Sequence, residues 1–129
     1  MNPDFVSVRA EATVSEALAA LRRSELGASQ LLTVCVVAED RRLVGAVALP
    51  RLVRAPTDVT VASLIDESVP TVSPETDLPD VACLMTDFNL IALPVVDAEE
   101  RPIGMIAVDD VLELLVPEEW RRRAGIARE

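Results

Sequence analysis

The sequence predicts an α/β (α+β) fold of two pseudo-symmetric repeats, each with the order strand, helix, strand, strand, helix, packed sheet to sheet. The first observation is an internal repeat, because residues 5–21 align with residues 69–85 at an offset of 64. The second is the alternation of short apolar runs with segments of helical period. The third is composition, since 50% of the 129 residues are hydrophobic and 26% are charged, which is typical of a folded chain. We expect residues 1–60 to form repeat 1 with its linker, 61–116 to form repeat 2 and 117–129 to be a charged C-terminal tail.

Repeat 1 opens with a short strand at Val6–Val8, which leads through an acidic turn into a helix. Thr13 and Glu16 have the spacing of a capping box and mark the start of that helix. The composition of residues 24–30 indicates a loop before the next strand. Helical spacing places four apolar residues on the buried face of the helix: Val14, Ala17, Leu18 and Leu21.

A β-hairpin follows the first helix. Its strands are predicted at Leu31–Val37 and Leu43–Leu49, on either side of an acidic turn, and the second strand contains Gly45. A short helix is predicted at Arg51–Arg54, and the linker Ala55–Val61 then leads to repeat 2.

Repeat 2 has the same pattern. A short strand at Thr71–Val72 precedes Asp77, which has the position of an N-cap with Asp80 three residues later. The helix after Asp77 has Leu78, Val81, Ala82, Met85 and Phe88 on one face. The remaining predicted elements are strands at Leu90–Val96 and Pro102–Val108, the second with Gly104, and a helix at Asp109–Val116.

Charge and residue types exclude several function classes. The net charge is −10 and histidine is absent, so the chain has no imidazole to act as a general base or a metal ligand, and we do not expect an enzyme. The negative charge disfavours nucleic acid and anionic lipid as partners. The longest apolar run has eight residues, which is too short to insert into a membrane, and we expect a cytoplasmic protein. Cys35 and Cys83 lie in apolar patterns and are expected to be small core residues.

Three segments resemble a tandem pair of CBS domains, also called a Bateman module. They are FVSVRAEATVSEAL, VPTVSPETDLPDVA and LPVVDAEERPIGMIAVDDVLELL. The resemblance implies a regulatory, non-catalytic module that senses adenine nucleotides or metal ions and forms disc-shaped homodimers. The segments LRRSELGASQLLTVCVV and VACLMTDFNLIALPVVD further resemble the cytosolic CBS region of MgtE-type magnesium transporters. This narrower resemblance implies that other domains of a larger transporter-like protein are partners.

The nucleotide-binding pattern of such modules is incomplete here. It implies a Ser or Thr three residues after each hairpin glycine and an Asp three residues later. Repeat 1 has Ala48 and Arg51 at these positions, and repeat 2 has Ala107 and Asp110. Only the acid of repeat 2 can therefore accept hydrogen bonds from ribose hydroxyls, and ATP or AMP is a disfavoured ligand. The candidate nucleotide contacts are Asp110, Thr71 and Pro94.

A divalent cation fits the charge distribution better. Residues 97–119 contain eight acids and one arginine, a local charge of −7. The resemblance implies that Mg²⁺ is sensed by the carboxylates of Asp77, Asp110, Glu113 and Glu118. Other positions that are acidic in similar proteins hold Pro79, Asn89, Arg121 and Arg122, so several of the implied cation contacts are absent or replaced by positive charge. The alternatives are a solvated acidic helix face, an adenine-nucleotide sensor and a pure dimerisation scaffold.

Overall fold

Two small sheets form the framework of the protein in a computed structural model, which describes residues 5–66 and 69–123 and, for Ser29 and 121–123, the backbone alone. The first sheet contains β1 (Val6–Arg9), β2 (Thr33–Val37) and β3 (Leu43–Ala48) in that spatial order. β1 pairs parallel to β2, and β2 pairs antiparallel to β3. The second sheet pairs β4 (Ala92–Val96) antiparallel to β5 (Pro102–Ala107). The predicted α/β class with two repeats is confirmed.

Helices connect and follow the strands in the predicted order. Repeat 1 contains α1 (Val14–Arg23), α2 (Ala28–Leu31) and α3 (Leu49–Arg54), and a 3₁₀ helix at Val61–Leu64 begins at the end of the predicted linker. Repeat 2 contains α4 (Leu78–Asp87) and α5 (Val108–Leu115), and α6 (Glu118–Arg123) lies in the predicted C-terminal tail. Residues 124–129 of that tail lie outside the described residues. None of the helices described is long and apolar enough to cross a membrane.

The hairpins of the two repeats share their irregularities. Each has a break in register near its turn, between Val36 and Val37 in repeat 1 and between Val95 and Val96 in repeat 2. Each turn also contains a non-glycine residue with positive φ, 74° at Arg41 and 65° at Glu100. These residues are 59 positions apart, the same offset that relates Gly45 to Gly104, so the hairpins are equivalent in backbone detail.

Each repeat has its own apolar core. β2 is buried at all five positions, as expected for a strand rich in β-branched residues with a helix on one face. The first core extends through the linker and beyond it, because Val61 is fully buried and Leu64 and Ile65 pack against the same core. Its buried members are Val6, Val14, Ala17, Leu21, Val34, Val36, Val47, Leu52 and Val61. The second core is smaller and contains Val72, Val81, Met85, Leu93 and Val111.

A backbone hydrogen bond joins the two hairpin turns. The N–H of Leu43 donates to the carbonyl oxygen of Glu100 at 2.9 Å. By the offset of 59, the equivalent donor in repeat 2 is residue 102, which is a proline and has no N–H. The junction between the turns is therefore asymmetric although the hairpins are alike.

Several local predictions were wrong. The segment 24–30 is not entirely a loop, because α2 begins at Ala28 and the Gly27 N–H is bonded to the Gln30 side chain at 3.0 Å. The strand predicted at Thr71–Val72 is reduced to one bridge between Val72 and Val95. Cys35 is buried as predicted, whereas Cys83 is exposed because it points away from the buried Val81–Met85 face of α4.

Candidate functional site

The junction of β5 and α5 holds two of the predicted acidic residues. α5 begins at Val108, directly after β5 ends, so Asp109 and Asp110 lie in its first turn, where the helix dipole favours negative charge. Asp109 Oδ1 accepts a hydrogen bond from the Asp110 N–H at 3.0 Å. Asp110 and Glu113 are both exposed and three residues apart, so they are neighbours on the surface of the helix.

Asp77 lies at the predicted N-cap of α4 but makes no side-chain capping bond to the helix. A capping oxygen accepts from the second or third residue of the helix, and here the second is Pro79, which has no N–H. The third residue is Asp80, whose N–H does not bond to the Asp77 side chain. The position of Asp77 is confirmed, while its predicted hydrogen-bonding role is wrong. Its carboxylate remains exposed at the surface.

The four predicted cation ligands do not form a closed metal site within the chain. Glu118 is an exposed residue of the first turn of α6. In the part of the chain that the structure describes, no three or more Asp, Glu, Cys or His residues are grouped closely enough to hold a metal ion. The carboxylates of Asp77, Asp110, Glu113 and Glu118 are thus surface groups, of which only Asp110 and Glu113 are neighbours on one helix.

Two of the positions that lack the implied acid lie at the two ends of α4. Pro79 and Asn89 are exposed at the beginning and just beyond the end of α4, and Asn89 has a φ of 55°. The side chains of Arg121 and Arg122 lie outside the described residues. Asp97, another acid of the segment, has a structural role, because its Oδ1 accepts hydrogen bonds of 2.9 Å from the N–H groups of Glu99 and Arg101.

The hairpin glycine of repeat 1 is covered by Ile65, which follows the linker. A Cβ added at Gly45 would collide with Cγ2 of Ile65. Next to this contact, Arg51 Nη1 donates to the carbonyl oxygen of Leu64 at 3.0 Å. The arginine that replaces the expected acid in repeat 1 therefore binds the protein's own backbone, and a guanidinium cannot accept a bond from a ribose hydroxyl.

The equivalent region of repeat 2 holds the three candidate nucleotide contacts. Thr71 and Pro94 are brought together because the Val72 N–H donates to the Pro94 carbonyl at 3.1 Å. Pro94 is fully buried, whereas Thr71 and Asp110 are exposed. A Cβ added at Gly104 would have no heavy atom of the described residues within 4 Å. Among the described residues, none covers the hairpin glycine of repeat 2 as Ile65 covers that of repeat 1.

An apolar groove between α4 and α5 was not predicted. Its volume is about 350 Å³, and its lining includes Met85, Asn89, Ile91, Val108, Leu112 and Leu115. Leu112 is 53% exposed and Leu115 is 44% exposed, so the groove is open to solvent at its α5 side. The sequence contains a signal for this groove, because the segment VLELL places leucines on more than one face of α5. A helix with a single buried face needs apolar residues on that face alone.

Comparisons with known proteins agree with this architecture. The CBS domain model matches residues 1–58 and 61–117. The chain is 41% identical over 118 residues to the magnesium transporter MgtE of Thermus thermophilus, covering 92% of this chain and 26% of that protein. It is 31% identical over 127 residues to MgtE of Enterococcus faecalis, covering 98% of this chain and 28% of that protein. The chain thus spans roughly a quarter of the length of these relatives.

A solved structure has the same fold. The crystal structure of the cytosolic domain of the Mg²⁺ channel MgtE in complex with ATP superposes with a TM-score of 0.81 at 41% identity. The match covers 89% of this chain and 46% of that one. The two repeats and their connections are therefore those of a known tandem arrangement.

Proposed function

The chain belongs to the CBS domain family, and on that premise we propose that it is a non-catalytic regulatory module of a larger magnesium-transporter-like protein. We propose further that it senses Mg²⁺ through acidic surface residues and lies on the cytosolic side of the membrane. The observation that carries the proposal is the match of both repeats, over nearly the whole chain, to the cytosolic part of MgtE proteins. The acidic residues in the first turn of α5 supply carboxylates that can bind the cation.

The donor set suits a hard, hydrated cation. Mg²⁺ prefers oxygen ligands, keeps several of its waters and needs only one or two carboxylates from a protein. Asp110 and Glu113 offer such a pair, and the chain has no histidine to favour a softer metal. Since no closed group of three ligands is found among the described residues, the proposed site is a surface site that waters or another domain complete.

The regulatory step follows from charge. Two carboxylates about 4 Å apart repel by about 4 kcal/mol at an effective dielectric constant of about 20, and a divalent cation between them reverses the sign. Neutralisation of Asp110 and Glu113, together with Asp77 and Glu118, would let this acidic surface approach a second acidic surface. A cation that binds the approached state more strongly than the separated state shifts the population toward it, which biases the transporter toward a closed state.

Isothermal titration calorimetry with Mg²⁺ tests this proposal directly. We expect a saturable heat at low millimolar Mg²⁺ that is lost in the double variant Asp110→Asn/Glu113→Gln. The matched control is Glu25→Gln/Asp58→Asn, which removes the same charge from two exposed positions of repeat 1. The control should bind like the wild type. Equal binding by both double variants, or none by the wild type, would reject the cation site.

A second candidate function is an adenine-nucleotide sensor, favoured by the ATP complex of the similar MgtE domain. In this chain the candidate contacts are Asp110, Thr71 and Pro94. The missing hydroxyl at Ala107 weakens the case, because each charge-assisted or hydroxyl bond lost costs about 1–3 kcal/mol. Saturable binding of ATP or AMP without metal, abolished by Asp110→Asn, would favour this function over the cation sensor.

We also propose that the module is a homodimer and contacts other domains of its parent protein. The support is the apolar groove between α4 and α5, where the side chains of Leu112 and Leu115 are exposed. A pure dimerisation scaffold is the remaining alternative, and it predicts self-association without binding of Mg²⁺ or nucleotide.

A further inference from the structure

Residues 57–62 cover the start of α1 in repeat 1. The N–H groups of Val14 and Ser15, the first two residues of the helix, have no acceptor inside it and donate to this segment. Val61 of the same segment is fully buried in the first core. The four backbone bonds are 2.8 to 3.3 Å long and join Val14 to Val59, Ser15 to Thr57, Val61 to Ala12 and Ala62 to Ala10. The segment therefore completes both the helix start and the core.

The start of α4 lacks such a cover among the described residues. Leu78 is the counterpart of Val14 at the offset of 64, and its N–H has no acceptor in residues 5–66 and 69–123. Thr76 is the counterpart of Ala12, and no described N–H donates to its carbonyl oxygen. The second core is also smaller than the first. Repeat 2 thus has the counterpart of a covered surface, and no described segment covers it.

The counterpart of residues 57–62 folds differently. At the offset of 59 it is residues 116–121, and Val61 corresponds to Trp120. Trp120 lies in α6 with its side chain 57% exposed, whereas Val61 is fully buried. The one tryptophan of the sequence therefore occupies the position of a core residue without being buried in a core.

Few interactions hold α6 in its helical form. The helix has six residues, and isolated helices shorter than about 12 residues are marginal in water. Most helices of this size are stabilised by an apolar face packed on a core, but the one apolar side chain of α6 is that of Trp120, which is exposed. The acids at its start and the arginines at its end favour the helix through its dipole, which is a small contribution.

We infer that residues 116–121 form a strap with a second position, extended along the start of α4 as residues 57–62 lie along the start of α1. Three of the four bonds of repeat 1 have counterparts, from the Leu78 N–H to the Glu118 carbonyl, from the Trp120 N–H to the Thr76 carbonyl and from the Arg121 N–H to the Pro74 carbonyl. The fourth cannot form, because Ser15 corresponds to Pro79, which has no N–H. The strap is therefore bound less strongly than the cover of repeat 1, which suits a reversible contact.

The side chains of the strap agree with this register. In the second position Trp120 takes the place of Val61 and adds its apolar surface to the smaller second core. Arg121 takes the place of Ala62, which is exposed, so its charge stays in solvent. The same register places Arg121 beside Glu75, where the two charges are opposite. The closed strap thus buries an aromatic ring without burying this arginine.

The arrangement of the helices permits the change. α4 contacts α5 as α1 contacts α3, so the chain leaves the last helix of each repeat from an equivalent place. α5 continues two residues beyond the counterpart of Arg54, and closure requires Leu114 and Leu115 to leave the helix. Both side chains are exposed and neither belongs to the second core, so this step breaks no core contact.

Fluorescence of Trp120 reports the position of the strap. The double variant Glu118→Val/Glu119→Thr gives the strap the residues found at positions 59 and 60, and β-branched residues favour an extended backbone over a helix. We expect the emission of Trp120 to shift to shorter wavelength and its quenching by acrylamide to decrease, because the indole moves into the core. The matched control is Glu118→Gln/Glu119→Gln, which removes the same charge and keeps good helix formers, so its shift should be smaller.

Three results of the fluorescence measurement overturn the inference. They are unchanged emission in the Val/Thr variant, equal shifts in the two variants, and a shift that depends on protein concentration, which would place Trp120 in a contact between chains. The spectra are recorded without divalent cation. Failure of the strap is therefore distinguishable from failure of the cation site, which the Mg²⁺ titration tests.

A disulfide tests the register of the closed strap. Thr13 and Thr60 form an antiparallel bridge in repeat 1, and the bonds on either side of them make this a pair with closely spaced side chains. Their counterparts are Asp77 and Glu119. We expect Asp77→Cys/Glu119→Cys to form an intramolecular disulfide on oxidation, and Trp120 to become protected from acrylamide when it forms.

The trap is made in a Cys83→Ser background, with Thr13→Cys/Thr60→Cys as the positive control. Cys35 is buried, and burial raises the pKa of its thiol to about 12, so it does not compete. Mass spectrometry of the oxidised monomer detects the bond. A disulfide in the control but not at positions 77 and 119, or a disulfide there that leaves Trp120 accessible to acrylamide, would show that the strap does not close in this way.

Discussion

Arg101 in the turn of repeat 2 donates from Nε to the carbonyl oxygen of Asp40 in the turn of repeat 1, at 3.2 Å. Its equivalent in repeat 1, Arg42, instead stays within its own turn, where Nε is 3.8 Å from Asp40 Oδ2. Together with the Leu43–Glu100 bond, this contact joins the turns of the two hairpins. One arginine of the equivalent pair therefore bridges the two hairpins, while the other remains in its own turn.

Replacing Arg101 by Ala should lower the free energy of unfolding by about 1 kcal/mol, the usual net value of one hydrogen bond. Arg42→Ala is the matched control, because it removes the same side chain from the equivalent turn, and it should have a smaller effect. Urea unfolding followed by circular dichroism measures both. Equal effects of the two substitutions would contradict a specific role for Arg101 between the repeats.

Gly45→Ala should destabilise the protein by about 1–3 kcal/mol, because the added methyl group collides with Ile65 and overpacked sites must shift. Gly104→Ala, at the equivalent position of repeat 2, should change stability by less than about 0.5 kcal/mol. A double-mutant cycle with Ile65→Ala completes the test. The cost of Gly45→Ala should fall in the Ile65→Ala background, and an unchanged cost would show that another contact restricts this glycine.

The buried thiol of Cys35 predicts a pH dependence of stability. Burial raises its pKa from 9.0 to about 12, so the unfolded chain loses this proton at lower pH than the folded chain. Stability is therefore full below pH 9 and should fall by about 1.4 kcal/mol per pH unit as pH rises toward 12. The sequence has no lysine or tyrosine, so few other groups titrate in this range. Urea midpoints measured from pH 8 to 11 give the slope.

Two cysteine variants check the assignment of that slope. Cys35→Ala should remove most of the pH dependence, whatever its effect on stability at pH 8. Cys83→Ser, at the exposed cysteine, should leave the dependence in place. A slope that survives Cys35→Ala, or disappears with Cys83→Ser, would assign the alkaline transition to a different group.

The two helix starts predict different costs for removing the N-cap residue. Thr13→Ala should cost about 1 kcal/mol, because the Thr13 hydroxyl accepts from the Glu16 N–H at 3.2 Å and the Glu16 carboxylate accepts from the Thr13 N–H at 2.8 Å. Asp77→Ala should cost less than about 0.5 kcal/mol, because Asp77 makes no such bond. Thermal unfolding of the two variants compares them, and a larger loss at Asp77 would contradict the difference between the caps.

The hairpins could be predicted from sequence because their signals are local. The apolar run of β2 and the glycine of each second strand are sufficient to place both pairs of strands, and the capping box at Thr13 places the start of α1. The exposure of Cys83 could not be predicted in the same way. It depends on which face of α4 meets the sheet, and Val81 and Met85 take that face while Cys83 does not.

The candidate site was harder to predict because it depends on tertiary contacts. The positions of Asp110 and Glu113 on one helix follow from their spacing alone. The covering of Gly45 by Ile65 and the bond from Arg51 to Leu64 do not, because they depend on the path of the chain after the linker. The groove at Leu112 forms between two helices that are separated by twenty residues of sequence. The sequence pattern of each helix does not show how closely the two helices pack.

The first core also bears on the order of events during synthesis. All residues of that core, including Val59, Leu64 and Ile65 that pack against it, precede residue 67, and the second core begins at Val72. When a ribosome releases the amino-terminal half, every partner in the first core is already present, and the three-stranded sheet can be completed before the second half emerges. Because residues 61–65 contribute to the first core, the first half can assemble before the second core is available.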